Sequence, residues 1–409
     1  MKIDQLDTLA LILDQARLKR NIDTMSKRVR ELGVDLRPHL KIAKSAEVAR
    51  LAVAVNAGGI TVATLSEAKY FFDNGFKNMT YAACIVPSKL DRVAALVDRG
   101  ADLKLITDNA DVDRAIADYR PNGDVRLKVL VEIDCGEHRT GVLPDGPDLM
   151  EIAGILDAAP MVDLEGVLIH AGHSYACRTF EAMADVAEEE RSAVVTAAER
   201  LRSNGFACPI VSTGSTPCVM FARDASGVTE VRPGVHMFGD MFHAGLGTRK
   251  IDEIAVTVLA SVIAHRRDDN QLYIDAGGLA LSKDRATAAF DGTAYCGFGR
   301  VCDVGTAAPI ADLYVLSVHQ EHGLVVGSDP LPFDRLAVGS KVRVMPNHVC
   351  MMAAAYDAYQ VIDSGTDIID TWGRRRDHVY LCVDHQSRIH QLRSLHRKPR
   401  RLPAQGRKR

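Results

Sequence analysis

The stretch GITVATLSEAKYFFDNGFKNMTYAA, residues 59–83, contains one complete strand–helix–strand unit. Its two ends, residues 59–64 and 79–83, are short apolar runs of the kind that form buried strands. The part between them is amphipathic, with Ser66 as the predicted N-cap of a helix and Gly75 as its predicted end. The unit therefore predicts an α/β architecture.

The same alternation continues on both sides of this unit and gives eight predicted strands. Eight strand–helix repeats predict a (β/α)8 TIM-type barrel. A doubly wound open sheet would alternate in the same way, but no glycine-rich dinucleotide-binding sequence follows the first strand, so the barrel is favoured. The predicted strands are residues 35–41, 59–64, 79–83, 102–107, 127–134, 164–171, 209–214 and 230–239.

The pattern changes after about residue 245, where apolar runs are separated by turns instead of long helices. These runs predict a second, mainly β domain. The N-terminal apolar run has no helix partner of its own, so we expect it to pair into that domain. The predicted organisation is a barrel at 13–245, a β domain at 246–376 that includes the strand within 1–12, and a basic tail at 377–409.

Composition and charge limit the classes of protein to consider. The 409 residues are 47% hydrophobic and 25% charged, which suits a globular protein with a substantial core. Nine cysteines without paired spacing, and an N-terminus without a signal pattern, predict a reduced, cytoplasmic setting. Residues 371–409 carry twelve Lys or Arg and two acidic residues. We interpret this end as a solvated tail and expect neither nucleic-acid nor membrane binding.

In a barrel of this type the functional groups stand where the strands end. Lys41 ends the first predicted strand. Burial there would lower its pKa and supply a neutral amine for imine formation with a carbonyl group. The alternative is an exposed lysine at a strand end, with His39 as a neighbour or as a structural residue of the barrel.

A small, glycine-containing segment, STGSTP at residues 212–217, follows the seventh predicted strand. Its backbone N–H groups are suited to an anion such as phosphate, since the loops after strands seven and eight are the usual phosphate site of such barrels. Gly234, in the sequence VRPG of the eighth predicted strand, would let the backbone approach the same region. A plain turn is the alternative.

Two further strand ends carry polar groups. Arg139 follows the fifth strand and could meet a phenolic oxygen, a ring nitrogen or a carboxylate, or else form a surface ion pair with Glu137. His170 ends the sixth strand, with His173 and Tyr175 beside it.

The sequence PNHVC, residues 346–350, is the clearest candidate metal site. His348 and Cys350 are two residues apart at a strand end, so we expect their side chains on one face. An imidazole with a thiolate favours zinc, whereas a buried cysteine beside a solvated histidine is the alternative. Glu321 and His322, in QEHG, are candidates for substrate or supporting contacts.

The order of these segments resembles the fold-type III pyridoxal-phosphate enzymes of the D-serine dehydratase and D-threonine aldolase family, over roughly residues 5–376. Each motif is weak alone, but eight in order are specific. They are RPHLK (37–41), EID with HRTG (132–141), HAGHSY (170–175), STGSTP (212–217), EVRPG (230–234), DAGGLALSKD (275–284), QEHG (320–323) and PNHVC (346–350).

The resemblance implies a barrel similar to that of alanine racemase, a β domain that supplies the metal pair, and a homodimer. It implies pyridoxal 5'-phosphate on Lys41 as a Schiff base, a divalent metal, zinc by preference, on His348 and Cys350, and a small D-amino acid as substrate. Lys41 and His322 are the predicted catalytic residues. The predicted cofactor-binding residues are Lys41, Arg139, His170, Tyr175, Ser212, Gly214, Ser215, Thr216, Gly234 and His236.

Three positions depart from the family pattern: Leu9 replaces a proline, Ile42 a common threonine, and His236 a tyrosine that often helps to hold the phosphate. The expected reaction is dehydration of a D-3-hydroxy amino acid to a 2-keto acid and ammonia. Aldol cleavage to glycine and an aldehyde is the nearest alternative. A non-catalytic pyridoxal-phosphate carrier and a racemase are the others. If the substrate has a second carboxylate, Arg300 and Arg374 are candidate cations for it.

Overall fold

The computed structural model describes residues 1–56, 58–121, 123, 125–328 and 330–376. The basic tail predicted at 377–409 lies outside these residues. Residues Met1–Arg375 pack as one unit that contains two sheets. Among the described residues, no helix combines the length and apolar character that crossing a membrane would require.

The chain opens with strand β1 (Ala10–Asp14), which runs beyond the predicted limit at residue 12 and leads into helix α1 (Gln15–Leu32). Asp14 ends the strand and caps the helix, because its carboxylate accepts the N–H of Arg17 at 3.1 Å. The sequence after α1 then alternates between strands and helices, as the apolar pattern predicts. The strands are β2 (Asp35–Leu36), β3 (Ile60–Val62), β4 (Asn78–Cys84), β5 (Asp102–Thr107), β6 (Leu127–Ile133), β7 (Val162–Ile169), β8 (Ile210–Thr213) and β9 (Glu230–Val231).

Helices cover the outside of these strands, and each packs an apolar stripe inward. They are α2 (Ala46–Val53), α3 (Leu65–Asp73), α4 (Leu90–Asp98), α5 (Ala110–Asp118), α6 (Pro147–Asp157), α7 (Phe180–Ser203) and α8 (Thr216–Phe221). The N-cap of α3 is Thr64 and not the predicted Ser66, because the Thr64 hydroxyl accepts the N–H of Glu67 at 3.0 Å. Gly75 follows the end of α3 with φ of +95°, as expected for a helix-ending glycine.

The strands β2 to β9 form one parallel sheet in the order β2-β9-β8-β7-β6-β5-β4-β3. A parallel bridge between His39, just after β2, and Thr61 in β3 joins its two edges. The predicted TIM-type barrel is therefore confirmed. Its first and last strands are shorter than predicted, since Pro38 and Pro233 cannot donate to the strand ladder.

The second sheet is mainly antiparallel and follows helix α9 (Met241–Gly245). Strand β1 joins it between β10 and β16, antiparallel to β10 and parallel to β16. Pairing of β10 with both β11 and β15 closes six strands into a small barrel. Its elements are β10 (Val256–Arg266), β11 (Gln271–Ile274), α10 (Gly278–Leu281), β12 (Gly299–Asp303), β13 (Pro309–Val318), β14 (Gly323–Val326), β15 (Lys341–Pro346), α11 (Val349–Ala353), β16 (Ala358–Ile362) and β17 (Asp370–Gly373).

Candidate active site

A cavity of about 660 Å³ opens at the carboxyl ends of the barrel strands. Parallel strands deliver their last residues to one face, which explains why side chains distant in sequence meet there. Most of the predicted site residues line this cavity. They are Lys41, Arg139, His170, Tyr175, Gly214, Ser215, Thr216, Gly234, His348 and Cys350.

Three predicted site residues do not line the cavity. Ser212 is buried in β8, where its hydroxyl donates to Glu230 and accepts from Arg232. His236 is also buried, and burial lowers its pKa to about 3. His322 is exposed in the connection between β13 and β14. The roles predicted for these three stay predictions.

Lys41 stands in the mouth of the cavity, in a turn after β2. The expectation that a strand end would bury this side chain was wrong, because β2 stops at Leu36 and the chain turns before reaching Lys41. His39 lies just behind it, and burial, together with the positive charge of Lys41, holds the pKa of His39 well below its usual value. A neutral imidazole therefore neighbours the Lys41 amine.

Gly214, directly after β8, is held on three sides. Its carbonyl lies 3.1 Å from Nδ1 of His170, and its N–H donates at 3.2 Å to the buried carboxylate of Glu190. A Cβ on Gly214 would come within 2.7 Å of the backbone nitrogen of Arg232, so only glycine fits. Because a carbonyl only accepts, Nδ1 of His170 carries the proton; burial lowers the pKa of His170 to about 3.

The segment that follows Gly214 has the features of a phosphate cradle. The hydroxyl of Thr216 is buried and has no hydrogen-bond partner among the described residues. The hydroxyl of Ser215 faces that of Ser174 at 3.0 Å and accepts the N–H of Cys218. After the neighbouring strand β9, a Cβ on Gly234 would meet the carbonyl of His39 at 2.7 Å, so a side chain does not fit there. A buried hydroxyl without a partner, beside positions where only glycine fits, is compatible with the close approach of a phosphate group.

Two arginines line the cavity in different surroundings. Arg232 is buried, and its guanidinium donates to the carbonyl of Ile169 and the hydroxyl of Ser212. Desolvation lowers the pKa of Arg232 to about 10. The side chain of Arg139 is 54% exposed and lies 3.5 Å from Glu137. Arg232 was missed by the sequence analysis, although it stands in the quoted segment EVRPG.

The candidate metal pair lies at the start of α11, not at the end of a strand as predicted. His348 is the N-cap of α11, Cys350 is its second residue, and β15 already ends at Pro346. Nδ1 of His348 lies 2.5 Å from the carboxylate of Asp284, which leaves Nε2 for a ligand. Burial opposes the charge on His348, but its hydrogen bond with Cys350 and the nearby carboxylates raise its pKa to about 10. A histidine, a cysteine and a supporting carboxylate fit zinc.

A second group of potential ligands lies deeper in the barrel. Atoms of Cys84, Asp108 and Glu132 lie within 4.8 Å of one another. The Cys84 thiol hydrogen-bonds to Glu132 at 3.0 Å, and burial together with this carboxylate raises the pKa of the thiol. This group offers no imidazole, unlike the pair His348 and Cys350.

The neighbouring arginines do not supply a cavity cation. Arg300 donates to the carbonyls of Asp312 and Tyr295. Arg374 is buried and donates to the carbonyl of Ile42, to the carbonyl of Ala353 and to the Tyr359 hydroxyl. Neither lines the cavity. The expectation that one of them could face a substrate carboxylate was wrong, because both side chains are used to join segments of the fold.

Comparison with known proteins agrees with this architecture. Residues 13–241 match the family "Alanine racemase, N-terminal domain", and residues 255–362 match the family "Putative serine dehydratase domain". The chain is 40% identical to D-threo-3-hydroxyaspartate dehydratase of Delftia sp. (strain HT23), covering 90% of this chain and 97% of that protein. It is 32% identical to D-serine dehydratase of Dictyostelium discoideum, with the same coverage.

An aldolase is also related. The chain is 28% identical to 3-hydroxy-D-aspartate aldolase of Paracoccus denitrificans, over 89% of this chain and 91% of that protein. A solved cysteine-to-alanine variant of D-threo-3-hydroxyaspartate dehydratase, in its metal-free form, superposes with a TM-score of 0.88, 39% identity and coverage of 92% and 99%. These relatives are carbon–oxygen and carbon–carbon lyases. The chain thus belongs to the fold-type III pyridoxal-phosphate enzymes of the D-serine dehydratase and D-threonine aldolase family, and it is a lyase.

Proposed function

We propose that this protein is a pyridoxal-phosphate- and zinc-dependent dehydratase of D-3-hydroxy amino acids. Its substrate class is D-threo-3-hydroxyaspartate, D-serine or D-threonine, and its products are a 2-keto acid and ammonia. The observation that carries the proposal is the meeting of Lys41 with His348 and Cys350 around one cavity. A base for the α-proton and a site for a Lewis acid are the two groups that this elimination needs.

The barrel side of the cavity would hold the cofactor. Thr216, Ser215 and the backbone near Gly234 would receive its phosphate, while Arg139, His170 and Tyr175 would surround its ring. Lys41 would hold the cofactor until the substrate amine takes its place, and the cofactor would then supply a conjugated ring able to accept the electron pair of the substrate's Cα–H bond. Nζ of Lys41, released from the cofactor, would act as the base for the α-proton.

The α11 side of the cavity would hold the metal. His348 Nε2 and the Cys350 thiolate are the two protein ligands, and Asp284 fixes the orientation of the imidazole. A zinc ion there would act as a Lewis acid on the β-oxygen of the substrate and help it to leave.

Aldol cleavage is the second candidate, because an aldolase is among the relatives. It would use the same cavity but break the Cα–Cβ bond. Two sequence relatives with higher identity are dehydratases, and this favours elimination. A non-catalytic carrier would have no use for a metal pair, and a racemase would need a base on each face of the substrate.

Product analysis separates the two lyase reactions. Purified protein loaded with cofactor and zinc is incubated with D-threonine, and the products are quantified. A dehydratase gives 2-oxobutyrate and ammonia, whereas an aldolase gives acetaldehyde and glycine. Aldehyde as the main product would overturn the proposal. The same incubation with D-threo-3-hydroxyaspartate and D-serine ranks the substrates.

Two further properties belong to the proposal. A homodimer would follow from membership in the family, and sedimentation of the purified protein tests it. A reduced, cytoplasmic compartment agrees with the eight described cysteines, all of which are free thiols.

A further inference from the structure

Asp240 is a fully buried carboxylate that the proposed reaction does not yet use. It is the N-cap of α9, because its Oδ1 accepts the backbone N–H of His243 at 2.8 Å. Nδ1 of His243 lies 2.8 Å from the same oxygen and donates to it, since a carboxylate only accepts. The second oxygen, Oδ2, accepts the N–H of Val349 at 3.0 Å. Asp240 therefore joins α9 to the first residue of α11, which lies between His348 and Cys350.

Helix α11 depends on this carboxylate because it has no cap of its own. The first N–H groups of a helix have no partner within the helix, and the side chain of the N-cap residue usually accepts one of them. His348 is the N-cap of α11, but its side chain makes no capping hydrogen bond. Its ring faces Asp284 instead. Asp240 supplies an acceptor for the first N–H of α11, which leaves the imidazole of His348 available for a metal.

A further hydrogen bond from α9 holds the other side of His348. The backbone N–H of Phe242 donates at 3.2 Å to the carbonyl of Asn347. The side chain of Asn347 in turn accepts the N–H of Thr287 at 3.2 Å and donates to the Thr287 hydroxyl at 2.7 Å. The residues on both sides of His348 are thus tied to α9, and Asn347 also ties them to the segment that carries Asp284.

Helix α9 is also part of the cavity wall. Its residues Phe242 and His243 line the cavity, at the mouth of which Lys41 stands. Asp240 does not line the cavity, so it can act only through the segments that it joins. We propose that Asp240 is a positioning residue that fixes the candidate metal pair relative to Lys41 by holding α9 and α11 with one carboxylate. This inference rests on the proposed function, since it takes His348 and Cys350 as the zinc ligands.

The variant Asp240→Ala tests the proposal, because it leaves the N–H of Val349 and two N–H groups of His243 without their acceptor. Zinc should bind about 10- to 100-fold more weakly, as is usual when a group that supports a metal ligand is lost. Saturating zinc should leave kcat about tenfold below that of the wild type, because the metal pair is displaced relative to Lys41. Asp240→Asn keeps one acceptor oxygen, which can serve only one of the two helices. Its zinc affinity should fall about three- to tenfold, and this variant decides the test if Asp240→Ala does not fold.

Cobalt substitution provides a readout that does not depend on turnover. Co²⁺ bound by a thiolate absorbs in the near ultraviolet, and its visible bands report the coordination geometry. With cobalt at saturation, Asp240→Ala should shift these bands, whereas Asp240→Asn should keep most of the wild-type spectrum. A role of Asp240 in folding alone would leave the bands of the folded, cobalt-saturated variant unchanged, and this result would overturn the proposal.

Asp14→Ala is the matched control. Asp14 is also a buried N-cap outside the cavity, and its Oδ1 accepts the N–H groups of Arg17 at 3.1 Å and of Ser364 at 3.4 Å. Its loss should lower Tm but leave zinc affinity and the cobalt bands unchanged. Equal losses of zinc affinity in Asp14→Ala and Asp240→Ala would overturn the role of Asp240. Zinc binding that survives Cys350→Ala would instead refute the metal pair of the proposed function, and the role of Asp240 with it.

Discussion

The two sides of the cavity are built differently. On the barrel side, Gly214 is fixed by His170, Glu190 and the backbone of Arg232, all of them belonging to the barrel. On the α11 side, His348 and Asp284 are each about 30% exposed, and both belong to the β domain. Buried hydrogen bonds and close packing thus fix the backbone at Gly214 on the barrel side. On the α11 side, a partly exposed ion pair between His348 and Asp284 fixes the imidazole. The difference teaches that cofactor binding and metal binding can be disturbed separately.

Lys41, in the turn after β2, is the barrel-side residue whose loss should remove function entirely. Lys41→Ala takes away the only amine placed for imine formation among the described residues that line the cavity. We expect kcat/KM to fall by a factor of about 10³ or more. The visible absorption of the imine should also disappear while the folded state remains. A variant that keeps both its colour and its turnover would show that the amine lies elsewhere.

On the α11 side, Cys350→Ala should abolish turnover but leave cofactor binding unchanged. Lewis-acid stabilisation worth several kcal/mol predicts a fall of about 10³ in kcat. Elemental analysis should find less zinc than in the wild type, and the imine absorption should be unchanged. Cys302→Ala, which removes a buried thiol outside the cavity, controls for the loss of a cysteine. Parallel loss of cofactor and metal would mean that the two sides are not separable.

The strands of the barrel were predictable from the sequence. Buried strands are apolar and the helices that cover them are amphipathic, so the two kinds of segment alternate visibly along the chain. The ends of β2 and β9 were misplaced, since proline stops the ladder without changing the apolar pattern. In the β domain, the strands β12, β14, β16 and β17 were not predicted as separate strands, since each is only four or five residues long.

The supporting groups of the site were harder to predict. Glu190 lies in the charged run AEEER of α7, where only the folded helix shows which of the three glutamates faces inward. Asp240 accepts the backbone N–H of Val349, more than a hundred residues away in sequence. Asp284 stands in the quoted DAGGLALSKD segment, so its position, though not its partner, was visible. Local patterns report burial and turns, but long-range pairing of single side chains leaves little trace in one sequence.

Glu190 offers a way to loosen the barrel side alone. Its carboxylate accepts the N–H groups of Ala171 at 2.9 Å and Gly214 at 3.2 Å, which follow two different strands. Glu190→Ala leaves both N–H groups buried without a partner. We expect pyridoxal phosphate to bind about 10- to 100-fold more weakly. Pyridoxal has no phosphate group and does not need the cradle, so Glu190→Ala should bind pyridoxal about as tightly as the wild type does.

Glu190→Gln is the matched control, since its amide oxygen can still accept both bonds. Its effect on cofactor affinity should be several times smaller than that of Glu190→Ala. Zinc content per folded molecule should stay constant in both variants. Equal losses of pyridoxal and pyridoxal phosphate would contradict the assignment of Gly214 to a phosphate cradle.

The smallest expected effect concerns the ionic support of the metal side. In Asp284→Asn the amide oxygen can still accept the Nδ1–H of His348, but the negative charge that makes the imidazole a stronger ligand is lost. Loss of a supporting residue of this kind typically weakens metal binding about 10- to 100-fold. Because Asp284→Asn keeps the hydrogen bond, we expect its zinc affinity to fall by only about tenfold. Titration with zinc should therefore restore full turnover at a higher concentration. If excess zinc does not restore it, Asp284 acts on the substrate directly, and the α11 side is more than a metal site.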